Sequence, residues 1–466
     1  MNALFRKKHT VSTGNLGLKK CLSAFDLTLL GIGAIIGTGI FVLTGVAAAT
    51  QAGPAVVLSF IIAGTACAFA ALAYAELSAS VGGCGSAYGY SYAAFGELIA
   101  WIIGWDLVLE YGVAVAAVAN GWSGYFNNAL VAIGLGLPDA LTKGPFAGGL
   151  VNLPAVLIVL ALMGMLIAGV KESARINAWM VGVKLTTIAI FIAVAVFHVH
   201  PENWSPFMPF GWFETTADGK TIGVLAAASL VFFAYVGFDA VSTAVEEAHN
   251  PQRDVPIGLL GSLIFCTIIY IIVSGLLTGI LPYDQLNVPS PVAFAMQQIG
   301  VTWASALIAT GVIAGLSTVM LVLYYGLTRI ILAISQDGLL PPFFAKIHPG
   351  TQTPVNTTVV CGLVMAFMAG FVPLSKLAEL VNIGTLAAFV MVCLGVIVLR
   401  IKHPEMPRPF KMPGGITLAV LGVLSCGALI LFLPFITHVR FLLWLLVGMA
   451  IYFLYSIKHS KLAIKT

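Results

Sequence analysis

Residues 31–41 read GIGAIIGTGIF, an apolar stretch that is interrupted by four glycines. Glycine inside a helix costs about 1 kcal/mol relative to alanine, so the stretch predicts a helix that unwinds in its middle. A close crossing of two helices is the alternative, because Gly33 and Gly37 form a small-xxx-small pair. The stretch by itself leaves both interpretations open.

The sequence around this stretch is that of a membrane protein. Hydrophobic residues make up 60% of the 466 residues and charged residues 9%, whereas a soluble domain carries about 25% charged residues. Apolar stretches of the roughly 20 residues that a membrane helix needs recur along the chain, which predicts an all-α membrane protein with twelve transmembrane helices. The predicted spans are 26–49, 54–78, 97–130, 153–171, 174–198, 222–247, 256–282, 301–334, 355–374, 379–401, 413–436 and 440–459.

Basic residues between the spans predict the orientation. Seventeen lysines and arginines lie on the side of the N-terminus and four on the opposite side, while Lys184 lies inside a span. This excess follows the positive-inside rule, so we expect both termini in the cytoplasm and the chain in the inner (cytoplasmic) membrane. The net charge of +4 follows from this topology and does not indicate nucleic acid. The polar segment 1–20 and the long first span indicate no cleavable signal peptide.

Several other functional classes lack a sequence signature here. The seven cysteines stand singly and are expected to fill apolar space. The histidines do not cluster, so we expect no metal site. The sequence has no phosphate-binding glycine loop, no nucleophile–base arrangement and no repeated selectivity filter. These observations argue against ATP-driven transport, an enzyme and a channel.

The sixth predicted span contains a second interruption. Residues 232–243 read FFAYVGFDAVST, which places Gly237 and Asp239 inside an apolar span. A carboxylate near mid-membrane costs about 2.5–3.5 kcal/mol on insertion scales and usually faces a cavity. Spans one and six occupy corresponding positions if the first ten helices form two five-helix repeats. Two interrupted helices in corresponding positions indicate a transporter site at the repeat interface.

Two helix breaks suit a zwitterionic substrate. The N-terminus of a half-helix presents amides that attract a carboxylate, and the C-terminal end of another half-helix presents carbonyls that accept hydrogen bonds from an ammonium. Irregular backbone at membrane depth is tolerated where it lines a cavity. An amino acid fits this two-pole arrangement better than a sugar or a lipid does.

Seven short segments, spread over most of the chain, form a specific combination. They are GIGAIIGTGIF at 31–41, YAEL at 74–77, GSAY at 85–88, FGE at 95–97, GFD at 237–239, EEAHNPQRDVP at 246–256 and SQDGLLP at 335–341. The combination resembles the amino acid–polyamine–organocation superfamily, close to bacterial proton-coupled homologues of the cationic amino acid transporters. One departure is the sequence VGGC at 81–84, where the family usually has a proline and a serine.

The resemblance implies a leucine-transporter-type fold. Its first five helices are repeated in inverted orientation, helices 1 and 6 are unwound at mid-membrane, and two further helices follow at the C-terminus. The corresponding regions are a cytoplasmic N-terminal segment at 1–25, a first repeat at 26–198, an extracytoplasmic loop at 199–221, a second repeat at 222–401, and helices 11 and 12 with a cytoplasmic tail at 402–466.

The resemblance also implies the residues of a substrate site. They are Ile35, Thr38, Gly39, Phe233, Ala234, Val236 and Asp239. The first three would contact the substrate carboxylate and amine, and the carbonyls of the next three would accept from the α-ammonium. Phe233 would also close over the substrate. Asp239 corresponds to an acidic position that acts in proton sensing or side-chain recognition.

Lys184 is expected inside the fifth span. It lies ten residues from Ala174 at the cytoplasmic end of the span, which is a poor position for snorkelling, and burial disfavours the charged form of an amine. In proton-coupled relatives a lysine of this span takes the place of a sodium ion, and Lys184 resembles it. The hypothesis is that Lys184 carries the coupled proton, with a fixed structural cation as the alternative.

Three acids are expected in or beside the second and third spans. Asp106 and Glu110 are four residues apart and therefore lie on one helix face. They would line the cavity or tune its charge preference, or else bond to unwound backbone or to Tyr111. Glu76, near the cytoplasmic end of span two, is expected to make a structural hydrogen bond.

Together these features predict secondary active transport of L-amino acids by alternating access, as symport with protons. The proton would be the coupling ion, and no other cofactor is expected. Exchange of amino acids or amines without net proton coupling is the alternative. Small residues at the breaks (Ala34, Thr38 and Ala234) suit neutral or varied side chains, whereas the acids would invite cationic ones. Membrane lipids are expected partners, and a small membrane accessory subunit is a possible one that the sequence does not reveal.

Overall fold

The computed structural model describes Arg6 and residues 22–81, 86–169, 174–216, 221–351 and 353–464. Most of the predicted N-terminal segment and the departure from the family motif at 82–84 therefore lie outside the described residues. Within the described ranges the chain is mostly helical. The α-helices of eight or more residues are α1 (Ala24–Ile35), α2 (Val56–Ser80), α3 (Ser86–Ala94), α4 (Glu97–Ala132), α5 (Leu153–Ile167), α6 (Ala174–Ala195), α7 (Val224–Val231), α8 (Pro251–Ile280), α9 (Pro291–Gln298), α10 (Thr302–Gln336), α11 (Val355–Phe371), α12 (Leu374–Lys402), α13 (Ile416–Leu431) and α14 (Phe435–Ile451).

Shorter helical segments and one small hairpin complete the described secondary structure. The π-helical segments are Gly39–Leu43, Ala48–Ala52 and Tyr452–Ser456. Single α-helical turns are Thr44–Ala47, Asp139–Thr142, Ile457–His459 and Lys461–Ile464. The 3-10 segments are Gly53–Ala55, Pro145–Ala147, Val196–His198, Pro201–Trp204, Phe232–Tyr235, Phe238–Glu247, Tyr283–Leu286 and Pro342–Ala345. Strands β1 (Glu214–Thr215) and β2 (Thr221–Ile222) pair antiparallel, which is a small departure from the all-α prediction in the predicted extracytoplasmic loop.

The described helices make this a multi-pass membrane protein. Eight stretches are long and apolar enough to cross a membrane: Gly39–Ser80, Glu97–Ala132, Ala178–His198, Val224–Ser242, Pro251–Ile280, Thr302–Gln336, Leu374–Lys402 and Phe435–His459. Helices α1, α5, α11 and α13 are shorter and also apolar. Each apolar span predicted from the sequence overlaps described helical structure, although span 26–49 is divided between α1 and the stretch Gly39–Ser80. The number of twelve crossings and the inverted repeat stay predictions.

The helices differ in how deeply they lie within the bundle. The apolar window of Val224–Ser242 is 94% buried, whereas that of Phe435–His459 is 17% buried. Helix α4 packs against α10 and α12, and α8 packs against α1 and α2. The segment that begins with α7 is therefore central, and α14 lies at the periphery.

Both predicted helix breaks are present. Helix α1 ends at Ile35, Ile36 is extended with φ −71° and ψ 101°, and helical structure resumes before the π-helical segment Gly39–Leu43. In the second break, α7 ends at Val231 and is followed by 3-10 structure up to Tyr235. Gly237 then has φ +110°, a conformation that favours glycine because it has no Cβ.

Glu76 fixes the end of α2 to a distant loop, and its predicted structural role is confirmed. Its carboxylate accepts hydrogen bonds from Arg400 at 2.9 and 2.5 Å. It also accepts one from the backbone amide of Met412 at 2.7 Å, and Arg408 Nε lies 3.4 Å from Glu76 Oε1. The loop that follows α12 is therefore held against α2 by a single buried acid.

Candidate functional site

The two helix breaks lie directly against each other. A Cβ atom placed on Gly39 would lie 2.2 Å from the Cα of Ala234. A Cβ atom on Gly237 would lie 3.1 Å from the carbonyl oxygen of Ala34. The backbones of the two breaks therefore approach so closely that a side chain at residue 39 would not fit.

A small cavity lies at this junction. Its free volume of about 10 Å³ is enough for about one water molecule. The lining residues are Ala34, Ile35, Gly37, Thr38, Gly39, Ala114, Val118, Phe233, Val236, Val319 and Leu323. A larger ligand would require the walls to separate.

Five of the seven predicted substrate residues line the cavity. They are Ile35, Thr38, Gly39, Phe233 and Val236. The sixth, Ala234, packs against Gly39 beside the cavity. Asp239 does not line it. The structure thus brings six of the residues together, and their role in substrate binding stays a prediction.

Thr38 presents an unused polar group at this junction. Its side chain is fully buried, and among the described residues its Oγ1 has no hydrogen-bond partner. Buried hydroxyls nearly always have a partner. The first amides of a helix also lack partners inside that helix, so the segment that starts at Thr38 presents donors where an anionic group would be stabilised.

Tyr270 bridges the two breaks from α8. Its hydroxyl lies 2.9 Å from the carbonyl oxygen of Ile35 and 2.8 Å from that of Ala234. A tyrosine hydroxyl has a single proton, so it cannot satisfy both carbonyls fully at once. The sequence analysis does not predict a role for this residue. The available signal was a lone tyrosine in the apolar stretch CTIIYIIVS at 266–274.

Lys184 reaches the first break from α6. Its side chain is 1% exposed, and its Nζ donates a hydrogen bond of 2.5 Å to the carbonyl oxygen of Gly33. The last carbonyls of a helix lack partners inside that helix, so the lysine caps the end of α1. A Cβ on Gly315 of α10 would lie 2.8 Å from Lys184 Cγ, and the glycine thus makes space for the lysine stem. Lys184 does not line the cavity.

The two predicted cavity acids, Asp106 and Glu110, and the predicted substrate residue Asp239 are buried away from the cavity lining. Asp106, Glu110 and Asp239 are each 1% exposed, and none of them lines the cavity. The Tyr111 hydroxyl donates to Asp239 Oδ2 at 3.2 Å. Among the described residues, both carboxyl oxygens of Asp106, Glu110 Oε1 and Asp239 Oδ1 have no hydrogen-bond partner. Burying an unpaired charge is costly, so a proton or a cationic partner would stabilise this group.

The described residues show no arrangement suited to a metal. Within those ranges, no three or more histidine, cysteine, aspartate or glutamate side chains are grouped so that they could hold an ion. The polar groups at the junction are backbone carbonyls and amides, one threonine hydroxyl and one tyrosine hydroxyl. Such a set can bind an organic zwitterion through hydrogen bonds.

Membrane-crossing helices, two of them broken around a common cavity, define a membrane transporter. The chain belongs to the amino acid permease family, whose sequence model matches residues 22–455. The resemblance to the amino acid–polyamine–organocation superfamily is thereby confirmed.

Individual relatives cover most or nearly all of the chain. It is 51% identical over 470 residues to the branched-chain amino acid permease BcaP of Bacillus subtilis, with 99% of each chain covered. It is 50% identical over 471 residues to the methylthioribose transporter of the same organism, covering 99% of this chain and 100% of the relative. Cationic amino acid transporter 4 of Homo sapiens is 38% identical over 408 residues, covering 85% of this chain and 63% of the relative. These relatives are permeases and transporters, and the chain is not an enzyme.

Proposed function

We propose that this protein imports neutral aliphatic L-amino acids across the cytoplasmic membrane together with protons. Both termini face the cytoplasm in this proposal, as the 17 to 4 distribution of basic residues supports. The twelve helices cross the membrane and the first ten form the inverted repeat. The substrate binds between the two helix breaks and is released on the other side after the walls of the cavity rearrange.

The observation that carries the proposal is the direct contact between the two breaks. Unpaired amides at the start of the second half of the broken first helix suit the substrate carboxylate. The carbonyl oxygens of Ile35 and Ala234 share one hydroxyl proton from Tyr270, so one of them is available to accept from an ammonium. The two poles of an amino acid thereby find partners on opposite sides of one small cavity.

The residues that form the cavity walls support the proposal that the substrate has a neutral aliphatic side chain. Helix α4 contributes Ala114 and Val118, and α10 contributes Val319 and Leu323. Apolar walls favour an apolar ligand side chain. The three buried acids lie outside these walls, which argues against a cationic substrate. The relative named as a branched-chain amino acid permease is 51% identical, and its printed substrate class agrees with this proposal.

Proton coupling is assigned to Lys184. In its charged form the amine donates a charge-assisted hydrogen bond to Gly33, and such bonds are roughly twice as strong as neutral ones. Loss of the proton weakens this bond and releases the end of α1. Protonation of one lysine is thereby linked to the geometry of the first break, which is also a wall of the substrate cavity.

Uptake into proteoliposomes tests the proposal. Purified protein is reconstituted, and accumulation of radiolabelled leucine, alanine, arginine and methylthioribose is measured with and without an inward proton gradient. We expect leucine or alanine to accumulate only with the gradient, and a protonophore to abolish the accumulation. Accumulation of methylthioribose alone would contradict the substrate class. Amino acid uptake that is independent of the proton gradient and is stimulated by substrate inside the proteoliposomes would instead indicate exchange.

A further inference from the structure

A second, open groove lies outside the cavity at the helix breaks. It has a free volume of about 280 Å³ and forms where the first turns of α8 meet the loop after α12. The lining residues are Gln252, Arg253, Pro256, Ile257, Leu260, Pro409 and Phe410. None of these residues lines the substrate cavity.

The loop wall of the groove is held in place by hydrogen bonds. Arg408, immediately before Pro409, donates to the carbonyls of Leu399, His403, Pro404 and Met406 at 2.9 to 3.2 Å. Arg408 also pairs with Glu76, and the amide of Met412 bonds to the same carboxylate. The wall formed by Pro409 and Phe410 is thus fixed at both ends. The shape of the groove is therefore set by hydrogen bonds within the fold.

The groove combines a cation with an apolar floor. Arg253 is exposed, and among the described residues its guanidinium forms no ion pair. Lys411, next to Phe410 in the sequence, is also exposed. Pro256, Ile257 and Leu260 continue from Arg253 as an apolar surface. An anionic group with an attached hydrocarbon chain is complementary to this arrangement.

The apolar floor continues along the outer face of α8. Ile257, Ile264 and Ile268 are 44%, 60% and 52% exposed, and their spacing of seven and then four residues places them on one helix face. Eleven residues of helix extend about 17 Å. This length is close to half of the roughly 30 Å hydrocarbon core of a bilayer, and so to one acyl chain.

We propose that this groove is a binding site for an anionic phospholipid. The lipid phosphate contacts Arg253, and one acyl chain lies over Ile257 and Leu260 and continues along the exposed face of α8. Basic pockets at the edge of the membrane bind anionic head groups in this way. Because Pro409 and Phe410 belong to the loop that Glu76 ties to α2, the lipid would bridge α8 and that loop.

Native mass spectrometry of the purified full chain tests this site. The protein is equilibrated in mixed micelles that contain equal amounts of phosphatidylglycerol and phosphatidylcholine, and the lipids that stay bound are counted. We expect one phosphatidylglycerol to be retained in preference to phosphatidylcholine. Arg253→Gln should lower its affinity about fivefold, the effect of roughly 1 kcal/mol per basic residue. Phe410→Ala should lower it as well, for both lipids.

Matched controls lie outside the groove. Lys458→Gln removes an exposed basic residue from the chain, and Phe453→Ala removes an aromatic ring that is 48% exposed. Both controls should retain phosphatidylglycerol as the wild type does. Equal retention of the two lipids by the wild type would overturn the proposal, as would equal losses in Arg253→Gln and Lys458→Gln. Displacement of the lipid by millimolar inorganic phosphate would also overturn it, because the site would then bind a free phosphate.

Discussion

Gly39 packs so closely on Ala234 that a Cβ on the glycine would lie 2.2 Å from the Ala234 Cα. The contact joins the two helix breaks, and both residues belong to the predicted substrate site. Because the contacting atoms are backbone, neither side can yield by rotating a side chain. The geometry of the site therefore depends on the absence of a side chain at residue 39.

Gly39→Ala should abolish or strongly reduce transport. The added methyl group forces the two breaks apart, and overpacking of this kind costs about 1–3 kcal/mol. We expect substrate affinity to fall at least about tenfold, as measured by scintillation proximity binding of labelled leucine. The protein should still insert into the membrane, because the other helices are unchanged.

Gly164→Ala is the matched control for this substitution. Gly164 lies in α5, and a Cβ there would have no atom within 4 Å. The same change in a helix interior removes a glycine that weakens the helix, so this variant should bind and transport as well as the wild type. Equal activity of Gly39→Ala and Gly164→Ala would show that the close contact between the breaks is not needed.

Tyr270→Phe should weaken substrate binding while keeping the shape of the site. The change removes the hydroxyl that bonds to Ile35 and Ala234, and a buried group left without its partner costs about 1–3 kcal/mol. The two breaks also lose the hydroxyl that bridges them, and we expect this to loosen the site that receives the ammonium. We expect the KM for leucine uptake to rise about tenfold.

Tyr455→Phe serves as the control for the loss of a hydroxyl. Tyr455 stacks on His459 near the C-terminus and is remote in sequence from both breaks. Its KM should equal that of the wild type. An unchanged KM in Tyr270→Phe would mean that the bridge between the breaks does not contribute to substrate recognition.

Glu76→Gln should destabilise the protein. The carboxylate is almost fully buried and holds Arg400, Arg408 and the amide of Met412. Breaking a buried ion pair costs about 3–5 kcal/mol, and partial exposure of Arg400 reduces this to about 2–3 kcal/mol. Thermal unfolding in detergent, followed by tryptophan fluorescence, should show a clearly lower midpoint.

A surface pair provides the comparison for Glu76. Asp139 and Lys143 form an exposed ion pair at 2.7 Å, with side chains 75% and 43% exposed. Exposed pairs contribute little to stability, so Asp139→Asn should leave the unfolding midpoint unchanged. If both variants unfolded at the wild-type midpoint, the loop after α12 would not depend on Glu76.

The sequence predicted the helix breaks because their signal is local. Glycines between residues 31 and 39 and the GFD at 237–239 stand out inside apolar spans, where regular helix is otherwise favoured. The length of the apolar stretches likewise predicted where the membrane-spanning helices lie. The position of Lys184 also followed from local information, since a charge inside an apolar helix is conspicuous.

The partners of these residues could not be predicted in the same way. Tyr270 meets Ile35 across 235 residues of sequence, and Glu76 meets Arg400 across 324. Such contacts depend on how helices pack, which periodicity does not encode. The same reason applies to Asp106 and Glu110, which were predicted to line the cavity, and to Asp239, which was predicted in the substrate site. Their burial was predictable, but which space they face was not.

In the proposed mechanism, substrate binding at the two breaks is coupled to protons through Lys184. The direct test compares wild type with Lys184→Met in proteoliposomes, in counterflow without a gradient and in accumulation driven by an inward proton gradient. Methionine keeps most of the side-chain length and removes the charge and the hydrogen bond to Gly33. We expect Lys184→Met to retain leucine counterflow and to lose gradient-driven accumulation. Gradient-driven accumulation at the wild-type level in Lys184→Met would contradict this mechanism.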